Sequence, residues 1–334
     1  MKRSIVFFLV TTMVLVGCEN SDLKDKSHAQ TKTDPTKTSD HANDEGSNPD
    51  ESNGTIESVT VKNENGQVFH VIPAYKWVDK FVQKALDTNS KSERAELWQR
   101  IVMDHVRSRC LTGAYSFLVE DYVYFPPKHL GKLQYTIELL KDSNIENSVV
   151  EALKASSRKF PGPETTVCLF PQGGSHFAGV TLDAGKISIF YLPYFSNHLQ
   201  LLKSTVAHEY HHSAWKAKYA EEYNWNLLGS IIFEGRAEYF ASLLYGPGAA
   251  KISDMKTKEE SRLWNKIKDS LYTVDPEKMD TVLYGGKEGF PINFGYVVGY
   301  HIVRDYTESH PDSSIEDWSK LSPEKLYKKS GYGD

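Results

Sequence analysis

Five side chains between positions 208 and 238 have the types and spacing for metal chemistry. His208, Glu209 and His212 make H-E-x-x-H within Thr205-Val206-Ala207-His208-Glu209-Tyr210-His211-His212-Ser213. On an α-helix, residues i and i+4 stand one above the other on one face. Two imidazoles so placed can grip a single ion, and Glu209 beside the first can reach a water next to it. Further on, Glu234 and Glu238 repeat the i, i+4 spacing in the otherwise apolar run Ser230–Phe240. A hydrolytic zinc site takes three protein ligands and keeps one position open, and two His with one Glu is such a set. Glu234 is therefore the expected third ligand. Glu238, one turn on, is placed to accept the N–H of a ligating imidazole and fix its tautomer. His211, at i+3 from His208, is a rival partner. The i+4 pair with its adjacent Glu is the metalloprotease arrangement, so His211 is placed outside the ligand set.

These groups require two neighbouring helices. The stretch from His198 to Leu228 contains no Gly or Pro, and the first helix is expected from about Asn197 to Tyr219. The second runs from about Asn226 to Tyr245 and stops at Gly246-Pro247-Gly248, a strong breaker. Ahead of them lies a short sheet: Thr165–Phe170, Phe177–Leu182 and Lys186–Leu192, separated by Gly173-Gly174 and Asp183-Ala184-Gly185.

H-E-Y-H-H followed by E-G-R-A-E resembles the gluzincin metallopeptidases, and more narrowly the bacterial predicted zinc-dependent proteases, several of which are lipoproteins. The resemblance covers about the last 170 residues. It implies a zincin-like catalytic domain, Zn2+ on His208, His212 and Glu234, and Glu209 as general base. It implies a peptide or protein substrate that adds to the edge of the sheet, an edge that offers unpaired N–H and C=O groups. Either Phe177–Leu182 or Lys186–Leu192 is that edge. It also implies an oxyanion-stabilising Tyr or His on a C-terminal helix. Asn293 to Thr307 reads as that helix, with candidates Tyr296, Tyr300 and His301, Tyr296 first. Gly295 and Gly299 there point to close helix packing.

The chain of 334 residues is 40% hydrophobic and 25% charged, ordinary for a globular protein. A net charge of −5 gives no case for nucleic acid. Residues 1–17 read as a lipoprotein signal peptide: Lys2 and Arg3, then an apolar stretch from Ile5 to Val16, short for a membrane span. Leu15-Val16-Gly17-Cys18 resembles a lipobox, which implies lipid attachment at Cys18 and a place on the outer face of the cell membrane, anchored by lipid. Residues 18–58 read as a lipidated, disordered tether, since their composition buries too little apolar surface to offset ordering entropy. Cys110 and Cys168 remain; they can pair outside the cytoplasm or stand as two buried thiols.

Residues 59–160 read as a mainly helical N-terminal part and 161–334 as the metallopeptidase part, giving an α+β, mostly helical fold. A hairpin is expected at Val59–Val61 and Val68–Ile72, joined across Asn65-Gly66. Helices follow at Tyr75–Leu86, Ser92–Arg109 with Ser92 as N-cap, Leu130–Leu140 and Ile145–Phe160. The aromatic stretch Val119–Pro127 reads as a strand or extended segment, and Lys256–Leu271 as an exposed, charged helix. The function expected is a membrane-anchored zinc peptidase. A metal-binding lipoprotein without protease activity, and a zinc hydrolase of a non-peptide substrate, are the alternatives.

Overall fold

β-Branched and aromatic runs bounded by turn residues build one five-stranded sheet. The structure, a computed structural model, describes residues 56–142, 144–173, 178–220, 223–247 and 257–333. The leader, Cys18 and the tether up to residue 55 lie outside the described residues. Strands β1 (Val59–Lys62) and β2 (Val68–Ile72) form the expected antiparallel hairpin. Its turn is closed by the Asn63 side chain, which accepts from the amides of Asn65 and Gln67. β3 (Thr165–Pro171) lies parallel to β2, β5 (Lys186–Tyr191) parallel to β3, and β4 (Gly179–Asp183) antiparallel to β5. The order is β1-β2-β3-β5-β4. Of the two edge candidates, β5 is therefore interior and β4 forms the edge. The sheet draws strands from both sides of residue 160.

Helices supply the rest of the core. In the first half these are α1 (Tyr75–Ala85), α2 (Lys91–Trp98), α3 (Asp104–Cys110), α4 (Glu120–Tyr124), α5 (Leu130–Asp142) and α6 (Ile145–Lys159). α2 and α3 are joined by a π-helical stretch, Gln99–Met103. Ser90, not Ser92, caps α2 by accepting from the Glu93 amide. The stretch expected to be extended, Val119–Pro127, instead contains α4. Tyr122 sits edge-on to the rings of Trp98, Phe170 and Phe190, at centroid distances of 5.3, 5.4 and 5.0 Å. Burial of that one aromatic outweighs the local preference for a strand. Cys110, the last residue of α3, is disulfide-bonded to Cys168 of β3, which settles the alternative left open above.

The second half holds α7 (Leu199–Tyr219), α8 (Leu227–Tyr245), α9 (Thr257–Ile267), α10 (Pro276–Tyr284), α11 (Phe294–Ser309), α12 (Ile315–Lys320) and α13 (Pro323–Ser330). α9 is not simply exposed. Glu260, Leu263, Trp264 and Ile267 are buried, the i, i+3, i+4, i+7 stripe of an amphipathic helix. Among the described residues no helix is long and apolar enough to cross a membrane.

α8 lies between α7 and α11, and its contact with α11 is backbone on backbone. A Cβ on Gly299 would stand 2.1 Å from the Ile231 carbonyl oxygen, and one on Gly235 would stand 2.1 Å from the Gly299 carbonyl carbon. Gly299→Ala should therefore lower stability by about 2 kcal/mol through overpacking, despite a helix-propensity gain of about 1 kcal/mol. Thermal unfolding of the variant checks this; an unchanged or higher Tm would mean the helices do not touch there.

Candidate metal centre

The middle of α7, from Ser204 to Trp215, is largely buried, so its polar residues need partners. Asn226 caps α8 by accepting from the Gly229 amide, which fixes where α8 starts and which residues it turns toward α7. The result is a triangle of donor atoms. His208 Nε2 and His212 Nε2 are 3.0 Å apart, and Glu234 Oε2 lies 3.3 Å from the first and 3.2 Å from the second. A tetrahedral zinc ion with ligands at about 2.0–2.1 Å spaces those ligands about 3.3 Å apart. The three side chains thus fit one zinc ion with little movement.

The surroundings set the protonation states. His208 Nδ1 is 3.2 Å from Glu238 Oε1. When the ring is neutral its hydrogen therefore sits on Nδ1, and Nε2 is left to present a lone pair to an ion. Burial opposes charge on His208, but the Glu238 carboxylate, with help from Glu234 and Glu209, outweighs it and holds the imidazole well above its ordinary pKa. Burial pushes the Glu234 carboxyl up, and the two imidazoles more than reverse this, bringing it down to about 2. His212 Nδ1 has no hydrogen-bond partner; its ring stacks on Phe233 at 4.0 Å.

Glu209 is 4% exposed. Burial raises its pKa, opposed by His208, His212 and a hydrogen bond from Thr181. The Thr181 hydroxyl lies 2.8 Å from Glu209 Oε2 and 2.8 Å from the Glu209 carbonyl oxygen. Two residues back along β4, on the same face, Gly179 leaves the space that the carboxylate occupies: a Cβ there would come within 2.7 Å of Glu209 Cγ and 3.0 Å of Oε1. The edge strand therefore positions the candidate base. Sequence reasoning missed both residues. A Thr in a β-branched strand carries no chemical signal, and its role follows only from β4 packing on α7.

The C-terminal candidates divide. The Tyr296 ring lies parallel to that of His208, centroids 6.2 Å apart, and its buried hydroxyl has no hydrogen-bond partner. Burial, then Glu234, holds that phenol well above its usual pKa, so it is a neutral donor. Tyr300 packs on Tyr239 at 5.7 Å. His301 does not join the centre: it lies about 140° round the helix from Tyr296, and its Nδ1 is 2.6 Å from Glu260 Oε1 on α9. His211 is buried with its ring stacked between Phe160 and Trp318, and burial pushes it well below its ordinary pKa; it is a neutral packing residue. His198 stacks on Tyr194 ahead of α7.

The family described as "Predicted Zn-dependent protease (DUF2268)" matches residues 145–328. No curated protein and no solved structure shows detectable similarity to the chain.

Two outcomes are expected. With its raised pKa, His208 is protonated in the metal-free protein at neutral pH, whereas a metal takes the neutral ring. Zinc uptake near pH 7 should therefore release about one proton, and affinity should rise with pH until the pKa is passed. Titration calorimetry in buffers of different ionisation enthalpy reads this directly; binding without proton release would contradict the assignment. Thr181→Val should keep zinc content and lower kcat about tenfold to a hundredfold, the worth of a hydrogen bond to a charged group. Thr181→Ser should recover most of the loss. Equal kcat in the Val variant would remove Thr181 from the site.

Proposed function

Since the chain belongs to the family of predicted zinc-dependent proteases, whose match spans more than half of it, we propose that it is a gluzincin-type zinc peptidase, anchored by lipid at Cys18 to the outer face of a bacterial cell membrane. The carrying observation is the triangle of His208 Nε2, His212 Nε2 and Glu234 Oε2 with the buried Glu209 carboxylate beside it. Bound there, zinc would supply the Lewis acidity that polarises a carbonyl and acidifies water. The chain's own groups do the rest. Glu209, held by Thr181, accepts the proton of the attacking water and passes it to the leaving amine. Glu238 keeps His208 in the tautomer that points Nε2 at the ion. Tyr296, a neutral buried donor facing the same space, stabilises the developing oxyanion.

Substrate docking follows from the sheet. The Phe190 amide donates to the Ala178 carbonyl, and the register pairs Gly179 with Ile189, Val180 with Ser188 and Thr181 with Ile187. Antiparallel pairs alternate between bonded and non-bonded, so the main-chain groups of Gly179 and Thr181 point away from β5. They are the groups to which an extended peptide adds, directly beside Glu209.

The lipobox and signal segment support the location, and the Cys110–Cys168 disulfide accords with an oxidising compartment. Glu209→Gln tests the activity: zinc content should stay at one per chain while peptide hydrolysis falls by at least about a thousandfold. Turnover within a few-fold of the parent would overturn the mechanism.

A further inference from the structure

We propose that this centre, on the peptidase reading above, acts at chain ends: it releases one or two residues from a peptide terminus and does not cut inside a chain that continues past both sides of the site. The proposal rests on what closes the β4 edge. The Tyr115 amide donates to the Leu182 carbonyl at 3.0 Å, and the Ala114 amide donates to Asp183 Oδ2 at 3.0 Å. Gly113 lies so close that a Cβ on it would stand 2.4 Å from the Leu182 oxygen. The segment Gly113–Tyr115 therefore occupies the position along the edge that a substrate strand would have to cross after Thr181.

Thr181 is also the residue that bonds Glu209. Successive residues of an extended chain are about 3.3 Å apart, so the obstruction begins one residue from the candidate base. A bound peptide has room for a single further residue, or two if the last turns out of the strand line.

The obstruction is firmly held. It follows α3 directly, whose last residue is bonded through the Cys110–Cys168 disulfide to β3. The Ser188 hydroxyl donates to the Cys110 carbonyl at 2.7 Å, and Lys186 Nζ lies 3.2 Å from both the Ser108 carbonyl and the Thr112 hydroxyl. Lys216 Nζ sits 4.6 Å over the Tyr115 ring and 3.6 Å from Asp183. Access to the donor triangle is narrow as well: the His208 side chain is 12% exposed, against 3% for His212 and 4% for Glu234. A chain terminus can enter such a site, whereas a continuous polypeptide needs a trough open at both ends. Each cleavage consumes one water and gives a free amino acid or dipeptide and the shortened peptide.

The test uses the zinc-loaded full chain and one ten-residue peptide in four forms: free ends, N-acetylated, C-amidated, and head-to-tail cyclic. Products are read by mass spectrometry. The expected result is stepwise loss of one or two residues from one end, at least a hundredfold slower when that end is blocked, with the cyclic form intact. Internal cleavage of the cyclic or blocked peptides at a comparable rate overturns chain-end specificity and leaves the peptidase reading standing. No hydrolysis of any form by protein carrying one zinc overturns both.

A second measurement is independent of turnover. With peptide bound to Glu209→Gln, hydrogen exchange at the Tyr115 amide should remain as slow as in the free protein. Faster exchange on binding would mean that substrate displaces the segment, and the proposal falls.

Discussion

A carboxylate wedged between two imidazoles holds this site together. Glu234, almost fully buried, would be a costly charge on its own. Placed 3.2–3.3 Å from ring nitrogens of both His212 and His208, it finds polar partners in surroundings where such attraction is strong. The same proximity makes a set of donors that one small divalent cation can bridge. α8 is apolar over most of its surface, so this polar seam is what fixes its rotation against α7.

Around that seam each element contributes one constraint. β4 brings Thr181 to Glu209 and keeps Gly179 without a side chain where the carboxylate needs room. α8 contributes both Glu234 and Glu238, so one helix sets a candidate ligand and the tautomer of His208. α11 comes close enough to lay Tyr296 parallel to His208 only because Gly235 and Gly299 face each other. The glycine between Glu234 and Arg236 is thus a packing residue in a motif otherwise read for its acids.

Residues with a periodic signature were legible in the sequence. H-E-x-x-H and the two glutamates specify their own geometry once a helix is assumed, and the Asn-Gly turn specified the hairpin. Glu238, one turn beyond Glu234, stands 3.2 Å from the His208 ring for the same reason. Features depending on contacts between distant segments were not legible. The stretch around Tyr122 has strand-like composition but coils to reach three aromatic rings. α9 looked solvated because its charges outnumber the buried stripe. His301 lies within two residues of Gly299, yet helical rotation turns it onto Glu260. Thr181 and the Cys110–Cys168 bond follow only from which strand lies beside which.

The parallel pairing of β2 with β3, in which His70 faces Thr166, bears on how the protein can be divided. The region that matches the family begins at residue 145, the first residue of α6 and well after β2. A fragment starting there would lack both hairpin strands and leave the flank of β3 as an open row of amides and carbonyls, a surface that invites self-association. Cys168 on that strand would also lose its bonding partner. The hairpin before α1 thus completes the sheet beside the candidate site rather than forming a separate module, and that sheet cannot close until the hairpin and the middle of the chain have met, a slow, long-range step of the kind that delays β-rich assembly.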